Sequence, residues 1–567
     1  MTKLKHIFIA VLFGGMTFAV WGQGLDPQTL LKPATDSWPS YSGDYTGRRY
    51  SPLAQINASN VKNLTLAWIA RVPTGPTSSL PGASPFAAVQ NIPTTIGGEA
   101  KETVEVGGPF GNGAGRVVGT ILQVNGVLYM SAPDNAWAVD ALDGHVLWHY
   151  FWRTRGGTHI GNRGMAMYHD WLYFETPDDY LVSLDSKTGK ERWHKEISDF
   201  NEQYFSTAAP LLVGDHLLVG TGDDLDAPGF LQSFDPETGD LQWKFYTVPM
   251  KPGDAGLNTW PSLDAATHGG AQTWGMGSYD PDTKLYIFGT GNPTPGYFRP
   301  EGDNLFTCSL VAVNVDNGKM AWYYQTSPHD THDWDSTQVP VLVDGEFNGR
   351  PRKLVLQATR NGYFFVLDRI TGEHLLTSQF GTSANWAKGL DKDGRPVRNP
   401  QKDSTIAGAL VSTSNGGSTN WPPPAYSPDS GLFYVAERDT YSMYYQTVAK
   451  TNEAMGLGGK EEDQLASLGS SIEAIDYKTG KIIWKHIFPS SFTDNGNAIT
   501  GLLTTAGKLL FGADGSGNFI AFDPSTGKPL WHTRLLDVAG APETYLLDGK
   551  QYVIVSGGDM IYAFKLN

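Results

Sequence analysis

From Ser327 to Thr337 the chain reads Ser-Pro-His-Asp-Thr-His-Asp-Trp-Asp-Ser-Thr, so that His329, Asp330, His332, Asp333 and Asp335 fall within seven positions. Carboxylates and imidazoles at this density can ligate a cation, store a proton or act as a general base, because like charges so close need a cation, a proton or a substrate to offset them. The stretch lacks the period of an amphipathic helix and is too polar for a buried strand, so it reads as a loop. A solvated acidic turn is the plain alternative. Trp334, set between two aspartates, argues instead for a loop folded against the body of the protein.

The elements that hold such a loop are foreshadowed by composition. Among 567 residues there are 66 Gly and 35 Pro, with 12% aromatic and only 18% charged residues, which points to many short strands and tight turns rather than helical bundles. A formal net charge of -16 repels nucleic acid and anionic lipid, and would attract a basic redox partner. Lys3 and Lys5 precede an apolar run from Ile7 to Val20, broken by Gly14, Gly15 and Thr17, and a polar stretch opens at Gln23. This reads as a signal peptide over 1–22, placing the mature protein outside the cytoplasm, periplasmic or secreted. An uncleaved anchor is the other reading, although the run is short of the roughly 20 apolar residues a spanning helix needs. No later segment is apolar enough for an integral membrane domain. With Cys308 as the single cysteine the chain can form no internal disulfide, no four-cysteine metal site and no Cys-x-x-Cys-His haem attachment.

One phrase recurs along the chain: an acidic residue, Gly four positions on, Trp eight positions on. It occurs at Asp140/Gly144/Trp148, Asp185/Gly189/Trp193, Asp235/Gly239/Trp243, Asp476/Gly480/Trp484 and Asp523/Gly527/Trp531, with Asn at the head of Asn314/Gly318/Trp322. A further copy, Asp368/Gly372, carries Leu376 in place of Trp, and Trp68 ends an apolar strand without the preceding turn. Asp and Gly bracket a tight turn, and the strand that follows delivers a flat ring at a fixed distance, able to staple neighbouring sheets. Units of about 45–50 residues rich in short strands are the signature of a β-propeller. Counting Trp68 and Leu376, the expectation is an all-β, eight-bladed propeller over residues 23–567, closed by a strand near Leu64 to Ala70 pairing with the last strands. The intervals 69–138, 244–313 and 377–474 are too long for one blade turn and are expected to build a site on one face.

With these repeats in view the chain resembles the pyrroloquinoline-quinone (PQQ) dependent alcohol dehydrogenases, the methanol and ethanol dehydrogenase family. The likeness runs from Trp38, Ser42 and Tyr50 to Leu53 through the repeats, and several motifs carry it. Gly289-Thr290-Gly291-Asn292-Pro293 resembles the segment whose Asn binds the metal, and Asn162-Arg163-Gly164 the segment whose Arg pairs with the quinone. Thr273-Trp274-Gly275 resembles the floor on which the quinone lies, and Arg360-Asn361-Gly362 the cation at its oxygens. Thr207 and Asn420 match further cofactor contacts, Asp224 the glutamate that ligates the metal, and Asp335 the catalytic base. The resemblance implies oxidation of an alcohol, primary by expectation, to an aldehyde, with hydride passing to a metal-activated quinone and electrons to a separate carrier such as a cytochrome c. The chemistry suits the set: a calcium-like ion wants hard oxygen ligands, Asp335 would take the alcohol proton, and Arg163 and Arg360 would offset the carboxylates of the cofactor.

The departures are as specific. Family members carry adjacent cysteines whose ring disulfide covers the quinone; here Gly157 and Thr158 stand there. Asp224 is one methylene shorter than glutamate, and Val118 and Ile499 replace a glutamate and a tryptophan of the cofactor edge. Lanthanide-using relatives place an Asp two residues past the base, where this chain has Thr337, so Ca2+ is the expected ion. No Gly-x-Gly-x-x-Gly supports a nicotinamide mechanism. The alternative function is an exported propeller that has lost PQQ and serves as a binding or scaffold protein.

Overall fold

Each acidic-Gly-Trp phrase folds as a capped turn feeding an outer strand. At Asp185 the carboxylate accepts from Thr188 N at 2.9 Å, and Gly189 N closes the turn on Asp185 O at 2.9 Å. Asp235 repeats the cap toward Glu237 N and Thr238 N, and Asn314 does so through its amide oxygen toward Asp316 N, which is why Asn is tolerated at that copy. Gly189 has φ +65°, and a Cβ there would stand 2.6 Å from Cε3 of Trp148. Only glycine combines that backbone with so close a ring.

We describe residues 24–76, 91–103, 115–222, 225–294, 302–447, 460–488, 500–535, 537–538 and 540–567 of a computed structural model. Their strands form eight sheets of four or five strands and one hairpin, Ala387–Leu390 with Pro396–Arg398. The protein is an all-β propeller. A typical sheet runs Ala166–Tyr168, Trp171–Glu175, Tyr180–Asp185 and Glu191–Glu196, each antiparallel to the next. Its central strand is wholly apolar but for Ser183 and the capping Asp185, whereas its outer strand, Glu-Arg-Trp-His-Lys-Glu, is half-buried, as expected of an edge. The first and last parts of the chain share one sheet, where Leu64–Arg71 pairs with Met560–Leu566, followed inward by Lys550–Gly557 and Glu543–Leu547. Among the described residues no helix is long and apolar enough to cross a membrane. Residues 1–22 lie outside the described residues.

The tryptophans join one sheet to the next through the same pair of contacts. Trp68 Nε1 donates to Ala141 O, Trp148 to Ser186 O, Trp193 to Glu237 O, Trp243 to Val315 O, Trp322 to Arg369 O and Trp484 to Pro524 O, at 2.8 to 3.2 Å. The rings cover Gly144, Gly189, Gly239, Gly318, Gly372 and Gly527 in the same order, and Leu376 stands against Gly480. Trp68 sits within its strand rather than at the end the sequence suggested. Trp531 differs for a topological reason. The next sheet begins with the chain's early strand and has no acidic-Gly turn, so its ring packs on Phe519 and Phe564 within a cluster that includes Val61 and Leu64.

Candidate active site

The acidic loop follows the strand Lys319–Gln325 and is buried almost throughout, with Trp334 and Asp335 at 0% exposure. Asp330 shapes it, accepting His332 N at 3.2 Å on one oxygen and Trp334 N at 3.0 Å on the other. His332 stacks on Trp334 at 4.2 Å and reaches Lys402 O at 2.7 Å through Nε2, while Trp334 Nε1 donates to Ser414 O at 3.0 Å. The loop's outer side is thus pinned to the long 377–474 interval. Its inner side is tied to Thr290 O by Ser336 N at 3.0 Å and to Gln357 Nε2 by Ser336 O at 2.7 Å. Asp330, His332 and Trp334 thus fix the path of the loop that carries Asp335.

Asp335 Oδ1 accepts Asn292 N at 2.5 Å, and Oδ2 lies 2.9 Å from Arg360 Nη2. Arg360 also donates to Asp333 O at 2.9 Å and Asn415 O at 3.3 Å. Its guanidinium carbon stands 5.2 Å from the centroid of the buried Trp274 ring, and that of Arg163 stands 4.5 Å from the same ring. Arg163 Nη1 donates to Thr207 O at 3.1 Å and to Thr207 Oγ1, and its guanidinium also lies 5.2 Å from Trp421. Asp335, Asn292, Arg360, Trp274, Arg163 and Thr207 are therefore one contiguous group, assembled from segments far apart in the chain.

Among the described residues no hydrogen bond joins Asn420 to that group. It is half-buried on a strap, with Nδ2 donating to Gly416 O at 2.9 Å and Oδ1 accepting Trp421 N at 2.7 Å; the ring that faces Arg163 belongs to its neighbour. Asp224 and Ile499 lie outside the described residues. Val118 is half-buried, and its Cγ2 would stand 3.4 Å from a Cβ on Gly161. At Gly157, φ is +91° and a Cβ would fall 2.0 Å from Pro177 O, so packing leaves no room for the cysteine that relatives are expected to carry there.

Several groups had no signal in the sequence. Arg438 is buried beside Arg360, its Nε donating to Gly417 O at 2.8 Å; burial, with the Arg360 charge as the next cause, pushes its guanidinium down to about 10, so it stays charged near neutrality. Glu175 is fully buried, and neither carboxylate oxygen has a hydrogen-bond partner among the described residues. Burial, reinforced by Asp179, holds it well above the usual carboxylate range, with Ser206 and Arg163 pulling the other way. Gln272, two residues before Trp274, is buried with Nε2 donating to Ala227 O at 3.1 Å. Its Oε1, together with Trp274 Nε1, Thr221 Oγ1 and Thr337 Oγ1, is buried without a partner among the described residues.

These features fit a flat, multiply anionic cofactor with a hard cation. Guanidinium groups converge on an indole face, an Asn and an Asp meet beside it, and unpartnered buried oxygens mark places where a ligand atom or ion would relieve a desolvation cost.

Comparison with known proteins points the same way. Residues 38–379 match the family model described as PQQ, glucose/ethanol/alcohol dehydrogenase, beta-propeller domain, and residues 469–566 match that of the outer membrane protein assembly factor BamB. The chain is 33% identical over 551 residues to quinoprotein alcohol dehydrogenase PedH of Pseudomonas putida, covering 90% of this chain and 84% of that protein. It is 30% identical over 600 residues to quinoprotein ethanol dehydrogenase of Pseudomonas putida, covering 94% and 89%. Among solved structures it superposes on quinohemoprotein alcohol dehydrogenase from Comamonas testosteroni with a TM-score of 0.81 at 27% identity, covering 96% of this chain and 82% of that one. A europium-containing methanol dehydrogenase gives 0.79 at 26%, covering 95% and 99%.

Proposed function

Because the chain belongs to the PQQ-dependent quinoprotein alcohol dehydrogenases, we propose that it oxidises a small primary alcohol to the aldehyde with Asp335 as the base, using Ca2+ and passing electrons to a separate acceptor such as a cytochrome c. The carrying observation is the meeting of Asp335, Asn292 and Arg360 beside Trp274. Bound PQQ supplies the hydride acceptor, and the metal ion supplies Lewis acidity at its carbonyl. Trp274 gives a flat apolar floor. Arg163, held by Thr207, and Arg360 present cationic donors to the cofactor's carboxylates and oxygens, and Asn420 adds an amide contact. Asn292 and Asp335, with Asp224 by its family resemblance, would hold the ion. Asp335 takes the hydroxyl proton of the alcohol at one carboxylate oxygen while Arg360 holds the side chain in place.

In the same reading the eight sheets are the blades of one ring over 23–567, stapled by the tryptophans, and residues 1–22 are a signal peptide that directs the protein to the periplasm or outside the cell. A binding protein that had lost its quinone would have no reason to keep buried cations gathered on Trp274, and that favours the enzyme over the scaffold reading. The test is dye-linked oxidation of short primary alcohols by protein loaded with PQQ and CaCl2. We expect turnover that Asp335→Asn abolishes; full activity in that variant would remove Asp335 from the role of base.

A further inference from the structure

We propose that His159 and Asp134 form a one-proton latch on the segment that leads into Arg163, so that the cofactor is held tightly only while that proton is bound. This rests on the quinoprotein reading above and concerns two side chains to which that reading gives no role. His159 is 2% exposed, although Gly157, two residues before it, stands at the surface. Its Nε2 lies 2.6 Å from Asp134 Oδ2, and its Nδ1 lies 3.1 Å from Gly157 O. Asp134, 5% exposed, occupies the turn between the strands Val127–Ala132 and Asn135–Asp140.

The two partners fix the protonation. A carbonyl oxygen only accepts, so the hydrogen of that contact is on Nδ1. The 2.6 Å contact between Nε2 and a carboxylate needs a second hydrogen, whichever of the two atoms carries it. The pair therefore holds one proton more than a neutral imidazole beside a carboxylate. Without it, one tautomer sets the Nε2 lone pair against Asp134 and the other sets the Nδ1 lone pair against Gly157 O, so one contact must open. Burial lowers the imidazole and raises the carboxyl, while Asp134 and the Gly157 carbonyl carry His159 above its ordinary range. Stability from the pair is thus complete below the ordinary imidazole value of about 6.5 and is lost as pH rises through the higher folded-state one. Asp178 is the other charge facing His159. Its carboxylate accepts from Thr176 Oγ1, Trp152 Nε1 and Arg155 N at 2.7 to 2.9 Å, with the Arg155 guanidinium 3.8 Å away.

The segment has little else to hold it. From Gly156 to Asn162 no backbone group is hydrogen-bonded to another backbone group among the described residues. Thr154 Oγ1 donates to Gly156 O at 2.6 Å at one end, and Asn162 is fixed by Ser131 Oγ at 2.6 Å and Glu175 O at 2.8 Å at the other. His159 holds the middle. A Cβ on Gly161 would stand 3.4 Å from Val118 Cγ2, the position that the resemblance sets at the cofactor edge, and Arg163 on Trp274 follows two residues on. His159 is therefore a positioning residue, and opening the latch uncovers that edge.

The test is the rate of PQQ release from the loaded protein at pH 6 and pH 9 in CaCl2, together with amide hydrogen exchange of residues 156–161 in the unloaded protein, corrected for intrinsic rates. We expect release to be about tenfold or more faster at pH 9, with protection of the segment falling in step. In Asp134→Asn the new amide donates to Nε2 of a neutral His159, which completes both contacts without the extra proton, and asparagine tolerates the φ of +64° at this position. That variant should release PQQ slowly and protect the segment at both pH values, whereas His159→Ala should release it fast at both. Equal pH dependence in the natural chain and Asp134→Asn, no dependence in the natural chain, or fast release from Asp134→Asn throughout would each overturn the latch. Absence of PQQ uptake by the natural chain would overturn the quinoprotein reading, and hydrogen exchange in the unloaded protein would still decide whether the pair closes the segment.

Discussion

Asp335 Oδ2 and Arg360 Nη2 are 2.9 Å apart, both side chains buried, with Arg360 further bound to the carbonyls of Asp333 and Asn415. The pair joins the acidic loop, the Arg360-Asn361-Gly362 turn and the 415–421 strap in one contact. Removing one member of such a pair leaves a buried charge uncompensated, at about 3–5 kcal/mol. Arg360→Gln should therefore lower unfolding free energy by that amount in urea titration, and Asp335→Asn combined with it should recover part of the loss. Strictly additive losses would show that the two side chains do not act on one another.

Tryptophan contacts between sheets should grade with burial. Trp148 is 2% exposed and donates to Ser186 O, whereas Trp193 makes the equivalent bond half-buried. Trp148→Ala is expected to cost about 3–5 kcal/mol by urea unfolding, and Trp193→Ala clearly less. Gly189→Ala should also destabilise, through the φ of +65° and the approach to Trp148. Equal costs at the two tryptophans would mean that ring burial is not what joins the sheets.

On the proposed function, Thr337 bears on the choice of ion. Its Oγ1 is buried without a partner among the described residues, two positions past Asp335 and against Gly275. In the proposed reading Thr337→Asp would bring a further carboxylate toward the ion, and should raise the preference for Tb3+ over Ca2+ by about tenfold or more in competition titrations of PQQ-loaded protein. An unchanged ratio would place residue 337 outside the coordination shell.

Stability should depend on pH through Asp179. Burial raises this carboxyl to about 6 from an ordinary 3.8, against hydrogen bonds from Ser198 and Ser206 that favour the charged form. Because the folded-state value is the higher one, the native protein holds this proton more tightly than the unfolded chain. The contribution is complete below about pH 4 and is lost as pH rises through about 6, amounting to about 2–3 kcal/mol. Asp179→Asn should flatten the decline in unfolding free energy between pH 4 and 7; an unaltered slope would assign that decline elsewhere.

Much of this was legible in the sequence because it rests on local rules. The acidic-Gly-Trp phrase encodes a capped turn and a ring at fixed reach, and so the sheets and the closing strand Leu64–Arg71 could be read from spacing alone. As candidates, Asn292, Arg163, Trp274 and Arg360 could be singled out because each sits in a short motif with a glycine, and Asp335 because of the density of ionisable residues around it. Gln272, Glu175 and Arg438 could not, since nothing in their own neighbourhoods distinguishes them from surface polar residues. Their burial, and in Gln272 and Glu175 the side-chain oxygens without a partner among the described residues, exist only once distant segments meet. Gly157 shows the converse: the absence of cysteine was plain, but its physical reason, the carbonyl of Pro177 in the space a side chain would need, is tertiary.

The central claim is that this propeller holds the quinone its site is built to receive. The most direct measurement is a titration of purified apoprotein with PQQ in CaCl2, following quinone absorbance and separating bound from free cofactor. The account predicts saturation at one PQQ per chain, with affinity reduced at least about tenfold in Arg163→Ala and in Trp274→Ala. No saturable uptake of PQQ by the natural chain would contradict it.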